Sequence, residues 1–391
     1  MNYYKRALEI QPDTVQYRHH LHQYPELSGQ EFETAAYVSS ILDSFGIQNQ
    51  IVNRHAVVGL ISGKGSGKCV ALRADIDALA SEDKCGASYQ SVHPGVCHAC
   101  GHDVHTAALL SAARMLQESS HDFPGQVKLI FQPSEERPPS GAAELIAANV
   151  MDGVDAIFGT HVVNFINAGD VSVQAGPRLA GSMNFYVDIY GKGGHGAMPH
   201  ECIDPIVAAA AVIMNLQSIV SREMNPADSV SVTVGKIEGG TAHHSIAESV
   251  HFRAAIKSMN ADIRDQIAAS VRRIVETTAE TYRCTAKIEM TPFGKPLIND
   301  AALSKIAEQS AAELLGKTHV ITCAPWPVSE DFTKYLEYAP GLFALVGGRN
   351  EEQGFVLQNH HPAFDVDESA LAAAAALYAG FAADYLRDTS Y

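Results

Sequence analysis

The sequence predicts an α/β protein: a mostly parallel sheet covered by helices, interrupted by an inserted two-layer α+β lid or dimerisation domain. Three observations predict it. Apolar runs of strand length alternate with helical periodicities in the first part of the chain. Around Ala180 the order changes to strand-helix-strand-strand-helix-strand. A chain of 391 residues also exceeds what one core comfortably holds. The expected division is 1–179 and 293–391 for a catalytic domain in two parts, with 180–292 as the insert.

The elements follow in order. Helices are expected over Pro12–Tyr24, stopped by Pro25, and Glu31–Phe45, stopped by Gly46. Apolar runs at Val57–Ser62, Val70–Ala74, Val127–Phe131 and Ala156–Gly159 read as strands, with helices at Thr106–Glu118 and Ala142–Ala148 between them. In the insert, Asn184–Tyr190, Ser229–Ile237, Glu248–Ser258 and Thr285–Thr291 read as strands, Asp204–Arg222 and Ala261–Tyr282 as helices. After Pro292 come helix Ala301–Leu315, a strand near Gly341–Val346 and a terminal helix from Glu368. Ligands of such sheets bind at the carboxyl ends of strands. Polar clusters are expected there: Arg73-Ala74-Asp75-Ile76-Asp77, Gln132-Pro133-Ser134-Glu135-Glu136 and Gly159-Thr160-His161.

Bulk properties narrow the function. Hydrophobic content of 46% is ordinary for a globular chain. A formal charge of −16 argues against nucleic acid or an anionic membrane as partner. Met1–Asp13 carries charges and lacks the apolar core of a signal peptide, and no uninterrupted apolar stretch is long enough to span a bilayer; even Ala370–Ala383 is short and alanine-rich. The expected location is the cytoplasm. Seven scattered cysteines, an odd number, suit reduced thiols better than a disulfide framework.

The densest chemistry lies in Cys97–His105, which packs two thiols, three imidazoles and a carboxylate into nine residues. Cys100 and His102 flank a glycine, so both side chains can converge from a tight loop, and a thiolate with an imidazole suits a borderline-soft divalent ion. Glu136, His161 and His360 lie in loops expected at the same sheet edge and would complete the shell. Singly these are weak signals: a lone buried histidine is more often a core group, and Glu135-Glu136 alone is usually a solvated pair. Cys97 with Cys100 also spells C-x-x-C, the spacing of thiol oxidoreductases and zinc knuckles, but no second C-x-x-C follows.

The chain resembles the zinc-dependent exopeptidase-fold amidohydrolases that include hippurate hydrolase, bacterial N-acyl-amino-acid deacylases and plant auxin-conjugate hydrolases. The resemblance runs nearly end to end, through Leu21–Ser28, Leu72–Leu79, His98–Asp103, Gln132–Glu136, Gly191–His200, Ser329–Phe332 and His360–Pro362. It implies that Cys100, His102, Glu136, His161 and His360 hold one or two divalent metals, zinc or manganese foremost, with cobalt or nickel as alternatives. It makes Glu135 the general base and Asp75 a carboxylate behind the ligands, with His105 in a similar supporting place. His195, on the insert, resembles the family histidine that reaches an active site across a homodimer to stabilise the oxyanion. His22 and Pro25–Leu27 match a motif read as structural.

The chain departs from the family pattern where substrate is recognised. The usual asparagine is His244, the usual arginine is Lys257, Gly196 replaces a common alanine, and Asn359 stands where an apolar residue is frequent. A lysine offers a point charge in place of a bidentate fork. The expected activity is hydrolysis of the amide of a small N-acyl amino acid or related conjugate, with neither nucleic acid nor membrane as partner. A dipeptidase or carboxypeptidase on the same scaffold is the nearest alternative, and a metal-stabilised binding protein without catalysis a more distant one.

Overall fold

The computed structural model describes residues 1–388 and divides into two units. The first comprises Met1–Gly176, Ile298–Ala324 and Lys334 onward; the second comprises Pro177–Leu297 and Pro325–Thr333.

In the first unit a seven-stranded sheet runs in the order Gln48–Val52, Ala56–Ser62, Gln126–Gln132, Cys69–Asp75, Ala156–Asn167, Gly341–Arg349, Val171–Ser172. Its four central strands are parallel and its margins antiparallel. Every residue of Cys69–Asp75 is buried, as expected of a parallel strand covered on both faces. Gln48–Val52 is not evident from sequence because it opens with three polar residues and buries none of its five, so no apolar alternation betrays an edge strand.

Helices Tyr3–Gln23, His102–Glu118 and Ser369–Arg387 supply much of the core against this sheet. The first starts well before the expected Pro12, which lies inside it. Asn2 caps it by accepting the Lys5 N–H at 2.9 Å, and burial of Tyr3, Ala7 and Ile10 outweighs the hydrogen bond that proline forfeits. Two helices, Pro205–Glu223 and Ser369–Arg387, are long and apolar enough to cross a membrane although neither is an uninterrupted apolar run. The second of them is buried in the first unit, where the Tyr378 hydroxyl donates to the Arg73 carbonyl (2.6 Å) and accepts the Thr160 N–H (3.2 Å).

Two of the three expected polar clusters sit at strand ends. Cys69–Asp75 ends at Asp75, and Gln126–Gln132 runs straight into Pro133–Glu136. The third differs from expectation. His161 lies inside the strand Ala156–Asn167, because pairing with Gly341–Arg349 continues past it to Asn167. Helix His102–Glu118 likewise starts four residues before the expected Thr106, at the histidine itself. Gly101 precedes it with φ +88°, and a Cβ there would lie 2.4 Å from Val162 Cγ1, so only glycine fits this turn.

The second unit is a four-stranded antiparallel sheet in the order Val230–Gly239, Ser249–Ser258, Gly181–Tyr190, Thr285–Gly294. Met183, Phe185, Val187 and Ile189 alternate inward with Val250, Phe252, Ala254 and Ile256, forming one core with helices Pro205–Ser218 and Ala261–Thr281. Its boundary differs from the expected Pro292: the last strand passes through that proline to Gly294, with a register shift that accommodates the missing N–H. Residues Pro325–Thr333 also join this unit, because the Trp326 N–H donates to Arg178 O and the Ala180 N–H to Val328 O, both at 2.8 Å.

Candidate metal centre

The first unit brings together Cys100, His102, Glu135, Glu136, His161 and His360, along with Asp75. The donor atoms of Cys100, His102 and His161 all lie within 4.8 Å of one another, as do those of Cys100, Glu136 and His360, and those of His102, Glu135 and Glu136. Cys100 Sγ is 3.4 Å from His161 Nε2, and Glu136 Oε1 is 3.2 Å from His360 Nε2 and 3.9 Å from His102 Nε2. Two ligands each about 2.0–2.3 Å from a shared divalent ion stand at separations of this size.

The histidines are aimed by what their far nitrogens do. His102 Nδ1 donates to the Asp77 carbonyl at 2.8 Å, which turns Nε2 into the site. His161 Nδ1 donates to Val162 O at 2.8 Å, which leaves Nε2 toward Cys100. His360 stands at φ +71°, a left-handed conformation, with its N–H on the Ala99 carbonyl at 2.7 Å. Asn359 accounts for its own departure from the apolar norm: its amide donates to both Cys100 O (3.0 Å) and Val162 O (3.1 Å), tying two ligand segments together.

The residues fit a metal. His102 Nε2 and Glu136 Oε1 are buried without a hydrogen-bond partner among the described residues, and a cation satisfies both. The field agrees. Burial opposes charge on His102, yet Asp75, Asp77 and Glu136 push its pKa up to about 10, so the site holds positive charge strongly. Burial, with Glu136, Glu135 and Asp75 nearby, pushes the Cys100 thiol well above its ordinary range, and metal coordination is what would deprotonate it.

Asp75 and His105 stand behind the ligands. Asp75 takes Arg73 Nη1 at 2.8 Å and His105 Nδ1 at 2.6 Å, and its Oδ2 is 3.6 Å from His102 Nε2. Burial raises its pKa, but His102, His105 and Arg73 outweigh that and hold it well below the carboxylate range. His105 Nε2 accepts the Val162 N–H at 2.8 Å, so both ring nitrogens are committed and the ring orients Asp75.

Asp77, which the sequence places only within the polar cluster at the strand end, has a positioning role that the sequence does not assign. One carboxylate oxygen accepts the Ser28 hydroxyl (2.7 Å) and the Glu136 N–H (3.0 Å), while the other is 3.2 Å from His102 Nδ1. It therefore places two ligands at once. The available signal was the strand end at Asp75, beyond which Asp77 turns into the site.

The remaining motif residues have other duties. His22 bridges two carboxylates, with Nδ1 at 2.8 Å from Asp103 and Nε2 at 3.3 Å from Asp83. Burial opposes its charge, but Asp103 and Asp83 raise its pKa well above normal. Cys97 is buried in the apolar core, and all seven cysteines are free thiols.

His195, His244 and Lys257 lie in the second unit. His195 is exposed, and its Nδ1 accepts the Ala197 N–H at 3.1 Å, so the neutral ring carries its proton on Nε2. Its strand pairs with Ser245-Ile246, which brings His244 beside it. Gly196 follows from that pairing, since a Cβ would meet the His244 carbonyl at 2.6 Å. Lys257 is elsewhere in the unit, on the sheet's open face. There it lines a groove of about 520 Å³ with Asn184, Tyr186 and Arg253, and burial lowers its pKa.

The chain is similar to proteins of known activity and structure along nearly its whole length. N-acetyl-L-cysteine deacetylase of Bacillus subtilis is 40% identical over 363 residues, 93% of this chain and 85% of the relative. IAA-amino acid hydrolase ILR1-like 4 of Arabidopsis thaliana is 40% identical over 374 residues, 94% of this chain and 84% of the relative. Among solved structures, a dinuclear metal-binding M20 peptidase from Bacillus subtilis superposes with a TM-score of 0.84 at 31% identity, covering 97% of this chain and 99% of that one. With the profile of that family also matching residues 71–384, the chain belongs to peptidase family M20/M25/M40.

Proposed function

We propose that the protein is a metal-dependent amidohydrolase that splits a small N-acyl amino acid or related conjugate into an acid and an amine. The observation that carries this is the adjacent pair Glu135 and Glu136, whose carboxylates share one cluster with His102. One glutamate can hold metal while its neighbour stays available to move a proton. The activities that name the relatives, N-acetyl-L-cysteine deacetylase and IAA-amino acid hydrolase, support the substrate class.

Cys100, His102, Glu136, His161 and His360 would hold two divalent ions, with Cys100 common to both ligand groups. Zinc or manganese suits this thiolate, imidazole and carboxylate set, and cobalt or nickel follows next. Such ions supply Lewis acidity, lowering the pKa of water from about 16 to about 7 and polarising a carbonyl. Glu135 takes the proton of the attacking water at its carboxylate and hands it to the departing nitrogen. Asp77 and Asp75 keep the ligand rings in place while charge moves. Of the two residues expected to meet the polar end of the substrate, His244 stands beside His195 and keeps that role; Lys257 is set apart from both on the sheet's open face, so its single ammonium is not assigned to the same contact.

The test is a screen of N-acyl amino acids, dipeptides and longer peptides with metal-reconstituted enzyme. Turnover is expected on acyl-amino acids and absent after chelation. Preference for peptides would assign a dipeptidase or carboxypeptidase, and tight binding without turnover a non-catalytic binding protein.

A homodimer completes the proposal, with the cytoplasm, where thiols stay reduced, as its location. Helix Pro205–Ser218 leaves Ile206, Val207 and Met214 exposed, the last at 71%, and the neighbouring edge strand Val230–Gly239 exposes Ile237. An apolar helix face beside an unpaired strand edge suits a second copy of the chain. His195, with its proton on Nε2, then donates to the oxyanion in the other copy's site. Mixing inactive Glu135→Gln and His195→Ala subunits should restore roughly a quarter of wild-type activity, because half the dimers are hybrids with one intact site. No recovery after verified subunit exchange would place His195 on its own chain's site.

A further inference from the structure

The loop that carries Glu135 and Glu136 begins on a strained residue. Ser134 has φ +51°, a conformation that L residues rarely adopt, directly before the proposed base and ligand. Its N–H donates to Glu31 Oε1 at 2.8 Å, and its carbonyl accepts the Gly141 N–H at 3.0 Å. The first bond fixes where the loop starts and the second closes it at its far end.

Glu31 is an unusual acceptor. It is fully buried, and burial with Asp77 nearby pushes its pKa up to about 7. Its second oxygen has no hydrogen bond and faces His55 Nδ1 at 3.4 Å, an atom equally without a partner among the described residues. The other nitrogen of His55 lies 3.1 and 3.2 Å from the two oxygens of Glu144. Glu144 belongs to the helix Gly141–Ala147, which begins where the loop ends. His55 thus stands between the carboxylate that grips the loop's start and one on the helix that receives its end.

The segment around Glu31 is itself held in place. Glu26 accepts the Thr34 N–H at 2.7 Å, and Ser28 donates to Asp77 at 2.7 Å. The Pro25–Ser28 motif therefore leads into a strap that touches both the residue orienting His102 and, through Glu31, the start of the base-bearing loop.

We infer that Glu31, backed by His55, is a positioning residue for the reaction: it holds Ser134 in its left-handed conformation so that Glu135 and Glu136 are presented together. This rests on the roles proposed above for those two glutamates. Neither Glu31 nor His55 touches substrate in this scheme; they act through the loop.

The test combines kinetics with amide hydrogen exchange on metal-loaded protein. Glu31→Ala should lower kcat roughly 10- to 100-fold with KM little changed, the size typical of supporting groups behind a metal site. Glu31→Gln keeps an oxygen for the Ser134 N–H and gains an NH₂ for His55 Nδ1, so it should recover to within about threefold of wild type. His55→Ala, which removes a partly exposed side chain, should lower kcat roughly 3- to 10-fold. Independently of turnover, peptides covering 131–140 should exchange at least about tenfold faster in Glu31→Ala, unchanged in Glu31→Gln, with the second unit unaffected. Unaltered exchange in Glu31→Ala, or a Gln variant as damaged as Ala, overturns the inference. If Glu31→Ala does not fold, the Gln and His55 variants decide: exchange over 131–140 raised in His55→Ala but not in Glu31→Gln supports the clamp, and any other pattern overturns it. Because exchange is read without substrate, a failed amide screen would sink the proposed activity and leave this test intact.

Discussion

Replacing Glu135 by glutamine is expected to lower kcat by roughly 10²- to 10⁴-fold, the range set by loss of a positioned general base. The variant should keep its metal. Glutamine preserves the length and shape of a largely buried side chain and removes only its ability to take a proton. Glu135 shares a donor group with His102 and Glu136, but the two groups built on Cys100 do not include it, so metal content should stay at wild-type stoichiometry. KM should change little, because the lost interaction matters most as the proton moves. Metal analysis alongside steady-state kinetics checks both halves. Glu136→Gln provides the contrast, since the neighbouring substitution should weaken metal retention as well. Near-normal turnover in metal-loaded Glu135→Gln would transfer the base role to another group.

Much of this centre was legible because its chemistry is concentrated in short motifs. Cys100-Gly101-His102 declares a tight turn with two donors, and the structure shows why glycine is required: a Cβ would strike Val162. Asp75 and Glu135-Glu136 could be placed because strands Cys69–Asp75 and Gln126–Gln132 end where apolar runs give way to charge. Other parts were hidden because they depend on distant segments meeting. Asp77 looks like Asp75 in sequence, and only the strand's end decides which carboxylate faces Ser28 and the Glu136 N–H. Asn359 reads as a substitution until its amide is seen bridging two carbonyls. Glu31 and His55 show no periodicity or motif spacing that links them to Ser134, which lies 103 residues beyond Glu31. Helix Tyr3–Gln23 extends nine residues before the expected start at Pro12, because core packing tolerates a proline that local propensity disfavours inside a helix.

Cys100→Ala is expected to cost the protein both metal ions, whereas His161→Ala and His360→Ala should each weaken one. Cys100 is common to the group with His102 and His161 and to the group with Glu136 and His360. Removing a side chain shared by two sites takes a ligand from each and leaves Glu135, Glu136 and Asp75 without the cations that offset their mutual repulsion. Activity should fall by at least about 10³-fold, since water activation and carbonyl polarisation are lost together. The pH behaviour gives a second reading. Burial and neighbouring carboxylates raise the Cys100 pKa well above normal, so metal must displace its proton on binding. Loading wild-type apoprotein in weakly buffered solution should therefore release protons, with affinity falling as pH drops. Cys100→Ala should show neither stoichiometric uptake nor that release. Retention of two tightly bound ions by Cys100→Ala would show that the thiol is a bystander and that carboxylates and imidazoles alone build the centre.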